Sequence, residues 1–373
     1  MTLKIGIVGA GMGGLTAAIA FVEQGHAVTV FEQAERFARI GADINLTPNA
    51  VHALDRLGVG DTLRASAAQP THRISRMWDT GEETSRIEMR EAAQDSYGAP
   101  QLTIHRADLL SALEARLPTE VFRMGARATG LDGEASVSFA DGQSEAFDLV
   151  VGADGIHSPI RTALFGPENP EFTGLVSWRA TYPRARTPDL PNLDAFTKWW
   201  GPTPDRQIVV FPLSRGEEIF VFATTPQPDW TEESWTAPGD IAELREAYAD
   251  FHPQARALLD ACDSVTKSAL YVRDPMPAWS KGRATLLGDA AHPMVPFMAQ
   301  GACMAIEDAV VLARTLEGAG PDDVAAALAT YEAARRERTA KVQIASRGNE
   351  WLKSGGNADW LYGYHAWSVP LTG

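Results

Sequence analysis

The first thirty residues combine two apolar runs with a small-residue helix between them. An apolar run at 4–8 ends in glycines, an alanine-rich stretch continues to about Gln24, and a second apolar run at 27–31 ends on Glu32. Gly25 is a natural stop for the helix. The pattern predicts a strand, a turn, a helix and a strand in that order.

Two later segments also place an apolar strand directly before a glycine-containing turn. The run at 149–151 leads into a turn that contains Asp154. The run at 284–287 leads into Asp289, a proline-spaced loop and a helix that begins near Gly301. Strand-to-turn joints of this kind are typical of a doubly wound sheet.

The pattern between residues 173 and 272 is different. The runs RQIVVFPL and EIFVFATT are rich in β-forming residues and are joined by SRGE, which predicts a hairpin. Neighbouring runs such as LVSWRATY and AFTKWWG indicate a mixed sheet. The Pro- and Asp-rich stretch at 183–191 is expected to form a loop between two of its strands.

Composition narrows the function classes. The chain has 373 residues, of which 45% are hydrophobic and 22% charged, as in an ordinary globular protein. A net charge of −15 argues against a nucleic-acid partner. The two cysteines, Cys262 and Cys303, lack metal-ligand spacing, and no apolar run approaches the roughly 20 residues of a membrane span. We therefore expect a cytoplasmic protein without a signal peptide, a metal site or a membrane partner.

The first turn has the spacing of a dinucleotide-binding motif. Gly9, Gly11 and Gly14 stand in the order G-x-G-x-x-G. The first glycine permits a tight turn, the second lets the backbone approach a pyrophosphate, and the third lets helix and strand pack closely. The helix N-terminus supplies amide donors to the phosphates, and Glu32 stands where an acid accepts ribose hydroxyls. The segment predicts binding of an adenine dinucleotide, either NAD or FAD.

The third segment adds a second contact for the same ligand. Asp289, at a strand end, can accept hydrogen bonds from a polyol. The amides of Gly301 and Ala302, at a helix N-terminus, suit a polar ring edge with partial negative charge. A plain NAD-dependent dehydrogenase does not need this second contact. The two segments together favour an extended cofactor.

Taken together, the three segments resemble those of the group A FAD-dependent aromatic hydroxylases, the family of salicylate and para-hydroxybenzoate hydroxylases. The likeness covers nearly the whole chain and includes GADGIHSPIR, GDAAHPMVPFMAQGACMAIEDA and the tail pattern DWLYGY. Within the family it is greatest for the 6-hydroxynicotinate 3-monooxygenase branch.

The resemblance implies an α/β fold with two interleaved domains. A Rossmann-like FAD-binding domain would comprise 1–72, 100–172 and 273–345, and a β-sheet substrate domain, as in para-hydroxybenzoate hydroxylase, would comprise 73–99 and 173–272. C-terminal helices would follow, with an aromatic tail at 346–373. That tail would pack back on the body, cover the substrate entrance or join a dimer interface, and the sequence leaves all three open.

The resemblance also implies an activity. The protein would be a monooxygenase that uses FAD, NADH or NADPH, and O2 to hydroxylate a small aromatic or heteroaromatic ring through a flavin C4a-hydroperoxide. Phenols, amino- or hydroxy-benzoates and hydroxypyridines are the implied substrates. The protein would be a monomer or a homodimer. Two alternatives are a flavin epoxidase or decarboxylating hydroxylase on the same scaffold and, more remotely, a non-catalytic dinucleotide-binding module.

Cofactor contacts follow residue by residue from the resemblance. Glu32 would hold the adenosine ribose, Gly11 and Gly13 would line the pyrophosphate, and Asp289 would contact the ribityl or pyrophosphate region. Asp154 would support contacts to FAD and NAD(P)H rather than act as a catalyst. The remaining expected contacts are Gly9, Gly14, Gln33, Arg39, Arg106, Ala128, Pro296, Gly301 and Ala302.

The chain departs from the hydroxynicotinate branch at three pocket positions. Asn45 and Phe297 each stand where that branch carries histidine, and its tyrosine falls near Val210 or Phe211. These changes disfavour 6-hydroxynicotinate as the substrate. They favour a more apolar aromatic ring, or one that is activated by an amino substituent.

The sequence identifies no catalytic base. Asn45 and His292 are the candidates, although His292 fits a loop-packing role better. Arg179 and Arg206 are candidate anchors for a substrate carboxylate, although an arginine in this setting is more often on the surface. Ring position and the choice between NADH and NADPH are also left open.

Overall fold

The computed structural model describes residues 1–37, 43–234, 236–349, 351–353 and 357–371. The strands are β1 (Lys4–Val8), β2 (Ala27–Glu32), β3 (Ile44–Leu46), β4 (His72–Met77), β5 (Glu83–Glu88), β6 (Leu102–Ile104), β7 (Phe122–Met124), β8 (Ala128–Asp132), β9 (Ser136–Phe139), β10 (Ser144–Ala146), β11 (Leu149–Gly152), β12 (Glu171–Pro183), β13 (Phe196–Trp200), β14 (Gln207–Leu213), β15 (Glu218–Pro226), β16 (Pro238–Gly239), β17 (Val265–Val272), β18 (Ser280–Lys281) and β19 (Ala284–Leu286).

The α-helices are α1 (Met12–Glu23), α2 (Pro48–Arg56), α3 (Gly60–Ser66), α4 (Glu91–Tyr97), α5 (Arg106–Glu114), α6 (Pro159–Phe165), α7 (Ile241–Ala247), α8 (Pro253–Asp260), α9 (Gly301–Thr315), α10 (Val324–Gly348) and α11 (Asp359–Tyr362). Within the described ranges, none of them is long and apolar enough to cross a bilayer. The same residues form no group of three or more His, Cys, Asp or Glu side chains placed to hold a metal ion.

The first sheet is mostly parallel and has the strand order β18-β19-β11-β1-β2-β7. β1 pairs in parallel with β2 and β11, and β11 pairs in parallel with β19. The predicted order of strand, turn, helix and strand at the N-terminus is confirmed. The three glycine-containing turns follow β1, β11 and β19, which are neighbours, so the turns meet at one edge of the sheet, where α/β proteins bind ligands.

The second sheet has the order β16-β17-β12-β15-β14-β13-β4-β5. The predicted hairpin is confirmed, since β14 and β15 pair antiparallel across the turn that contains SRGE. Strands of this sheet come from His72–Met77, Glu83–Glu88 and the part of the chain from β12 to β17. The domain boundaries at 73–99 and 173–272 stay a proposal. α7 and α8 supply residues to the core on one face of the sheet. The cluster on the opposite face includes Val295 and Phe297 from the loop before α9.

A buried ionic network fixes α9 between the turn after β19 and the long helix α10. On α9, Asp308 accepts hydrogen bonds from the Gly288 amide at 3.1 Å and from Arg335 Nε at 2.7 Å. Its neighbour Glu307 forms an ion pair with Arg335 at 2.6 Å and accepts from Arg338 Nε at 2.8 Å. Burial opposes ionisation of Asp308, but His292 and Arg335 outweigh it and lower the pKa of Asp308 to about 2. Asp308 is therefore ionised at neutral pH.

The aromatic tail packs back on the body of the protein. The indole of Trp367 donates to the carbonyl of Ala53 at 3.0 Å, and Arg338 donates to the carbonyls of Trp360 and Leu361. The segment just after α10 reaches the second sheet, where Ser75 Oγ donates to the carbonyl of Leu352 at 3.0 Å. Of the three possibilities for the tail, the structure shows packing on the body.

The ionic network predicts a large cost for removing its central cation. The variant Arg335→Met leaves two buried carboxylates without their shared partner, so we expect a loss of about 3 to 5 kcal/mol in the free energy of unfolding. Urea titration of the FAD-loaded protein, followed by far-UV circular dichroism, measures it. The control is Arg336→Met, since Arg336 is 47% exposed and pairs with Glu332 at 3.2 Å. The control loses about 1 kcal/mol or less. Equal losses would contradict the network's role.

Candidate active site

The edge where the three turns meet is a groove of about 610 Å³. It is framed by the turn after β1, the turn after β11, the turn after β19 and the start of α9. The predicted cofactor residues that line this groove are Gly9, Gly11, Gly13, Glu32, Gln33, Arg106, Ala128, Asp154, Asp289, Gly301 and Ala302. A groove of this volume, lined by three separate turns, suits an extended dinucleotide rather than a single mononucleotide.

The turn after β1 is closed on one side and open on the other. Gly9 has φ +106°, and a Cβ there would overlap the carbonyl oxygen of Ala153. A Cβ on Gly14 would overlap the carbonyl oxygen of Gly9, whereas a Cβ on Gly11 would meet no atom within 4 Å. The turn is therefore packed against the sheet from behind and leaves free space in front of Gly11. This shape fits a pyrophosphate lying against the backbone.

Two helix N-termini bound the groove without competing side chains. α1 begins after Gly11 and α9 begins after Gln300, and neither of these residues caps its helix with a side-chain hydrogen bond. Neither helix carries an acidic residue in its first turn. The first-turn amides and the positive ends of both helix dipoles are thus available to anionic or electron-rich parts of a ligand.

Two carboxylates in the groove are held in place by backbone amides. Glu32 accepts hydrogen bonds from the amides of Ala10 at 3.1 Å and Ala34 at 2.9 Å, which direct it along the groove. Asp154 accepts from the amide of Ile160 at 3.2 Å, and burial raises its pKa to about 6. The other oxygen of Asp154 is buried and has no partner among the described residues. These acceptors fit the hydroxyl and amide donors of a flavin dinucleotide.

A second cavity, of about 240 Å³, adjoins the far end of the groove. The two share five lining residues, Met12, Arg106, Asp289, Gly301 and Ala302. The rest of the second cavity lies between the start of α9 and the second sheet. We call it the ring cavity, and its remaining lining residues are Asp43, Ile44, Asn45, Arg73, Arg179, Phe196, Lys198, Gln207, Val209, Phe211, Phe222, Met294, Pro296, Phe297, Ala299 and Gln300.

The ring cavity combines an aromatic wall with polar groups that lack partners. Phe196 and Phe211 stack with ring centroids 5.1 Å apart, and Phe297 belongs to the same cluster. Asn45 receives a hydrogen bond from Gln101 at 2.6 Å, but its own Nδ2 has no acceptor among the described residues. Gln207 is buried, and neither the nitrogen nor the oxygen of its side-chain amide has a hydrogen-bond partner among the described residues. Buried polar atoms of this kind indicate a site built for a ligand.

The structure brings together four of the five candidate substrate residues. Asn45, Arg179, Phe211 and Phe297 all line the ring cavity. The prediction for Val210 is wrong, because side chains alternate along β14 and Val210 points to the opposite face, where it joins the core with Tyr248.

Other predicted residues also need correction. His292 lines neither cavity; it is buried, with its Nε2 2.5 Å from Asp308 Oδ2, and so belongs to the ionic network. Pro296 lies on the wall of the ring cavity rather than in the groove, and Gly14 lies beneath the turn. Arg206 pairs with Asp250 outside both cavities. Arg39 lies outside the described residues.

Several charged residues of the ring cavity were missed by sequence reasoning. Asp43 lies two positions before Asn45, which was already placed in the pocket from the sequence, so its acidic side chain was an available signal. Arg73 and Lys198 lie on β4 and β13, which are distant in sequence but paired in the sheet. Only the pairing of these strands brings the two cations together, so no local motif could have revealed them.

Comparison with known proteins agrees with this geometry. Residues 2–346 match the family described as FAD binding domain, and the chain belongs to this family. It is 40% identical over 372 residues to the 6-hydroxynicotinate 3-monooxygenase of Bordetella bronchiseptica, covering 99% of this chain and 97% of that protein. It is 38% identical over 347 residues to the 3-amino-4-hydroxybenzoate 2-monooxygenase PtmB3 of Streptomyces platensis, covering 92% and 87%.

Among solved structures, a salicylate hydroxylase substrate complex superposes with a TM-score of 0.85 at 26% identity. The match covers 98% of this chain and 96% of the other. The predicted fold class, enzyme class and cofactor are confirmed. The protein is an FAD-dependent oxidoreductase of the monooxygenase class, with NADH or NADPH as reductant.

Glu32 provides a test of the groove. The variant Glu32→Gln loses a charged acceptor for the adenosine ribose, so we expect FAD affinity to fall about 10- to 100-fold. Titration of the apoprotein with FAD, followed by quenching of flavin fluorescence, gives the dissociation constant. Glu35→Gln serves as the control, because Glu35 is exposed and does not line the groove. An unchanged dissociation constant for Glu32→Gln would remove Glu32 from the cofactor site.

Proposed function

We propose that the protein hydroxylates a single aromatic or heteroaromatic ring that carries a hydroxyl or amino substituent. The observation that carries the proposal is the ring cavity, which opens onto the flavin groove through Met12, Arg106, Asp289, Gly301 and Ala302. A ring bound there lies against the part of the groove that ends at the N-terminus of α9. The family membership supports the same reaction.

The size of the ring cavity supports a small substrate. Its 240 Å³ lies below the roughly 300 to 1,000 Å³ of pockets that hold drug-sized ligands. The aromatic wall of Phe196, Phe211, Phe222 and Phe297 favours a flat ring and excludes water around it. A single ring with small substituents fits these limits.

The residues of the groove have the donor and acceptor set that FAD requires. We propose that the amides of Gly11 and Gly13 contact the pyrophosphate and that Glu32 holds the adenosine ribose. Asp289 would contact the ribityl chain, and the amides of Gly301 and Ala302 would contact the flavin ring. Bound FAD, once reduced by NADH or NADPH, supplies the reactivity toward O2 that places one oxygen atom on the substrate.

Asp43 is our candidate for the proton acceptor of the reaction. It lines the ring cavity, and burial raises its pKa to about 6, although Arg179 acts in the opposite direction. A carboxylate with such a pKa is ionised at neutral pH and is basic enough to take a proton from a ring hydroxyl, which makes the ring more nucleophilic. The other charged residues that line the same cavity are Arg73, Arg106, Arg179, Lys198 and Asp289.

Two positions on the wall of the ring cavity bear on the substituents of the substrate ring. By the resemblance, Asn45 and Phe297 stand where the hydroxynicotinate branch carries histidine, so neither of these two positions on the wall is titratable. A ring that carries an amino group is electron-rich without their help. The PtmB3 relative acts on 3-amino-4-hydroxybenzoate by its name. We therefore propose amino-hydroxybenzoates ahead of 6-hydroxynicotinate.

A substrate panel tests the proposed function. We expect NADH or NADPH oxidation by the FAD-loaded protein to be stimulated at least about tenfold by 3-amino-4-hydroxybenzoate or a positional isomer, and less by 6-hydroxynicotinate, with hydroxylated product formed. Product identified by mass spectrometry also separates hydroxylation from epoxidation or loss of CO2. Absence of stimulation by every ring in the panel would overturn the proposal.

The pH dependence tests Asp43. Since the acceptor must be ionised, kcat/KM should rise as the pH increases through about 6 and then level off. In Asp43→Asn that rise should be absent and kcat lower by about 10²- to 10⁴-fold. The control Asp61→Asn removes an exposed carboxylate outside the cavity and should leave the profile unchanged. An unaltered profile in Asp43→Asn would exclude Asp43 as the acceptor.

The cytoplasmic location and the monomeric or homodimeric state stay predictions from the sequence. The sheet-domain boundaries and the individual cofactor contacts are likewise proposals, and Glu32→Gln tests one of these contacts.

A further inference from the structure

One end of the ring cavity contains two buried cations that have no carboxylate partner among the described residues. Arg73 is 4% exposed and Lys198 is 3% exposed. Lys198 Nζ donates to Asn349 Oδ1 at 2.6 Å and lies 3.8 Å from the centre of the Trp200 ring. Arg73 lies 5.0 Å from the centre of the Phe196 ring and 3.5 Å from the Tyr362 hydroxyl. All of these partners are neutral.

The second sheet places the two cations side by side. β13 pairs in parallel with β4, so that Arg73 is opposite Phe196 and Lys198 is opposite Ser75. Residues that are opposite or two positions apart share a face, so both cations point to the side of the cavity. On the adjacent strand β14, Gln207 is opposite Trp200 and lies on the same face as the two cations. Its side-chain amide is buried and has no hydrogen-bond partner among the described residues.

From these contacts we infer that Lys198 and Arg73, with the amide of Gln207, form the binding site for a carboxylate on the aromatic substrate. This inference rests on the proposed function and refines it, because it assigns the residues that bind the carboxylate which the proposed amino-hydroxybenzoates carry. The two candidate anchors from the sequence were Arg206 and Arg179. Arg206 lies outside the cavity, and the inference gives the anchoring role to Lys198 and Arg73 instead of Arg179.

Electrostatics supports an anion at this position. Burial is the main cause that lowers the pKa of Lys198 well below its ordinary value, and the positive charges of Arg73 and Lys353 lower it further. An anion between the two cations would offset both effects. Arg179 differs, since Asp43 faces it within the same cavity and already supplies a negative charge. Arg106 likewise has Asp289 and Glu32 as acidic neighbours. Among the described residues that line the cavity, the least compensated positive charge is therefore at Lys198 and Arg73.

The donors at this end also match the chemistry of a carboxylate. A guanidinium offers a planar pair of N–H donors, an ammonium offers a point charge, and an amide offers one more N–H donor. Two oxygens can accept from all three, whereas a carboxamide on the same ring carries no charge and presents N–H groups to two cations. The site should therefore distinguish a carboxylate from a carboxamide of nearly the same shape.

Benzoate and benzamide are suitable probes, because they differ in charge and hardly in size. Their binding to the FAD-loaded protein is measured from the change in the visible flavin spectrum. We expect the wild type to bind benzoate about 10- to 100-fold more tightly than benzamide. Lys198→Met should remove most of that preference by weakening benzoate alone, and Lys198→Arg should restore at least part of it.

Lys267→Met is the matched control. Lys267 is 3% exposed and lies in the same sheet, but it pairs with Glu243 at 3.2 Å and does not line the ring cavity. The benzoate preference should survive in this variant.

The outcomes separate this inference from the proposed function. If the wild type binds benzoate and benzamide equally, or if Lys198→Met weakens both probes alike, the carboxylate site is refuted while the aromatic cavity stands. If neither probe changes the spectrum of the FAD-loaded wild type, the proposed ring cavity itself fails. A wild type that binds both probes equally refutes the site even where Lys198→Met does not fold.

Discussion

The position of α9 is the constraint on which both cavities depend. Its N-terminus lines the flavin groove and the ring cavity, and its buried residues Glu307 and Asp308 connect it to α10 and to the turn after β19. Such a network contributes little net stability relative to apolar packing, but breaking it is costly because unpaired charges stay buried. The main role of the network in this protein is to fix the position of α9. It holds the amides of Gly301 and Ala302 in a fixed place relative to Asp289.

The two sheets supply different groups to the site. The first sheet supplies backbone amides and carboxylates at the edge where parallel strands end, which suits a long anionic cofactor. The second supplies side chains from one face of adjacent strands, so that Phe211, Arg179 and Lys198 surround a ring without being near in sequence. Aromatic walls favour a flat ring, and the distribution of charge sets its orientation. The substrate is thereby placed by the sheet and the cofactor by the turns.

The sequence predicted the groove better than the ring cavity, for a physical reason. The contacts of Gly9, Gly11 and Glu32 are local, because one strand, one turn and one helix create them. The ring cavity depends on strand pairing. β14 is apolar on both faces, so alternation could not tell Val210 from Phe211. Arg73 and Lys198 meet only through the register of β4 and β13. His292 stayed a candidate base beside its better-fitting packing role, because its burial against Asp308 could not be read from spacing.

The central claim is that the protein inserts an oxygen atom from O2 into a ring held beside its flavin. The most direct measurement is the reaction of the FAD-loaded protein with NADH or NADPH and an amino-hydroxybenzoate under 18O-labelled O2, with mass spectrometry of the product. We expect one labelled oxygen atom in the product and consumption of one NADH or NADPH for each hydroxylation. A product labelled from water, or NAD(P)H oxidation without any oxygenated product from a binding ring, would contradict the central claim.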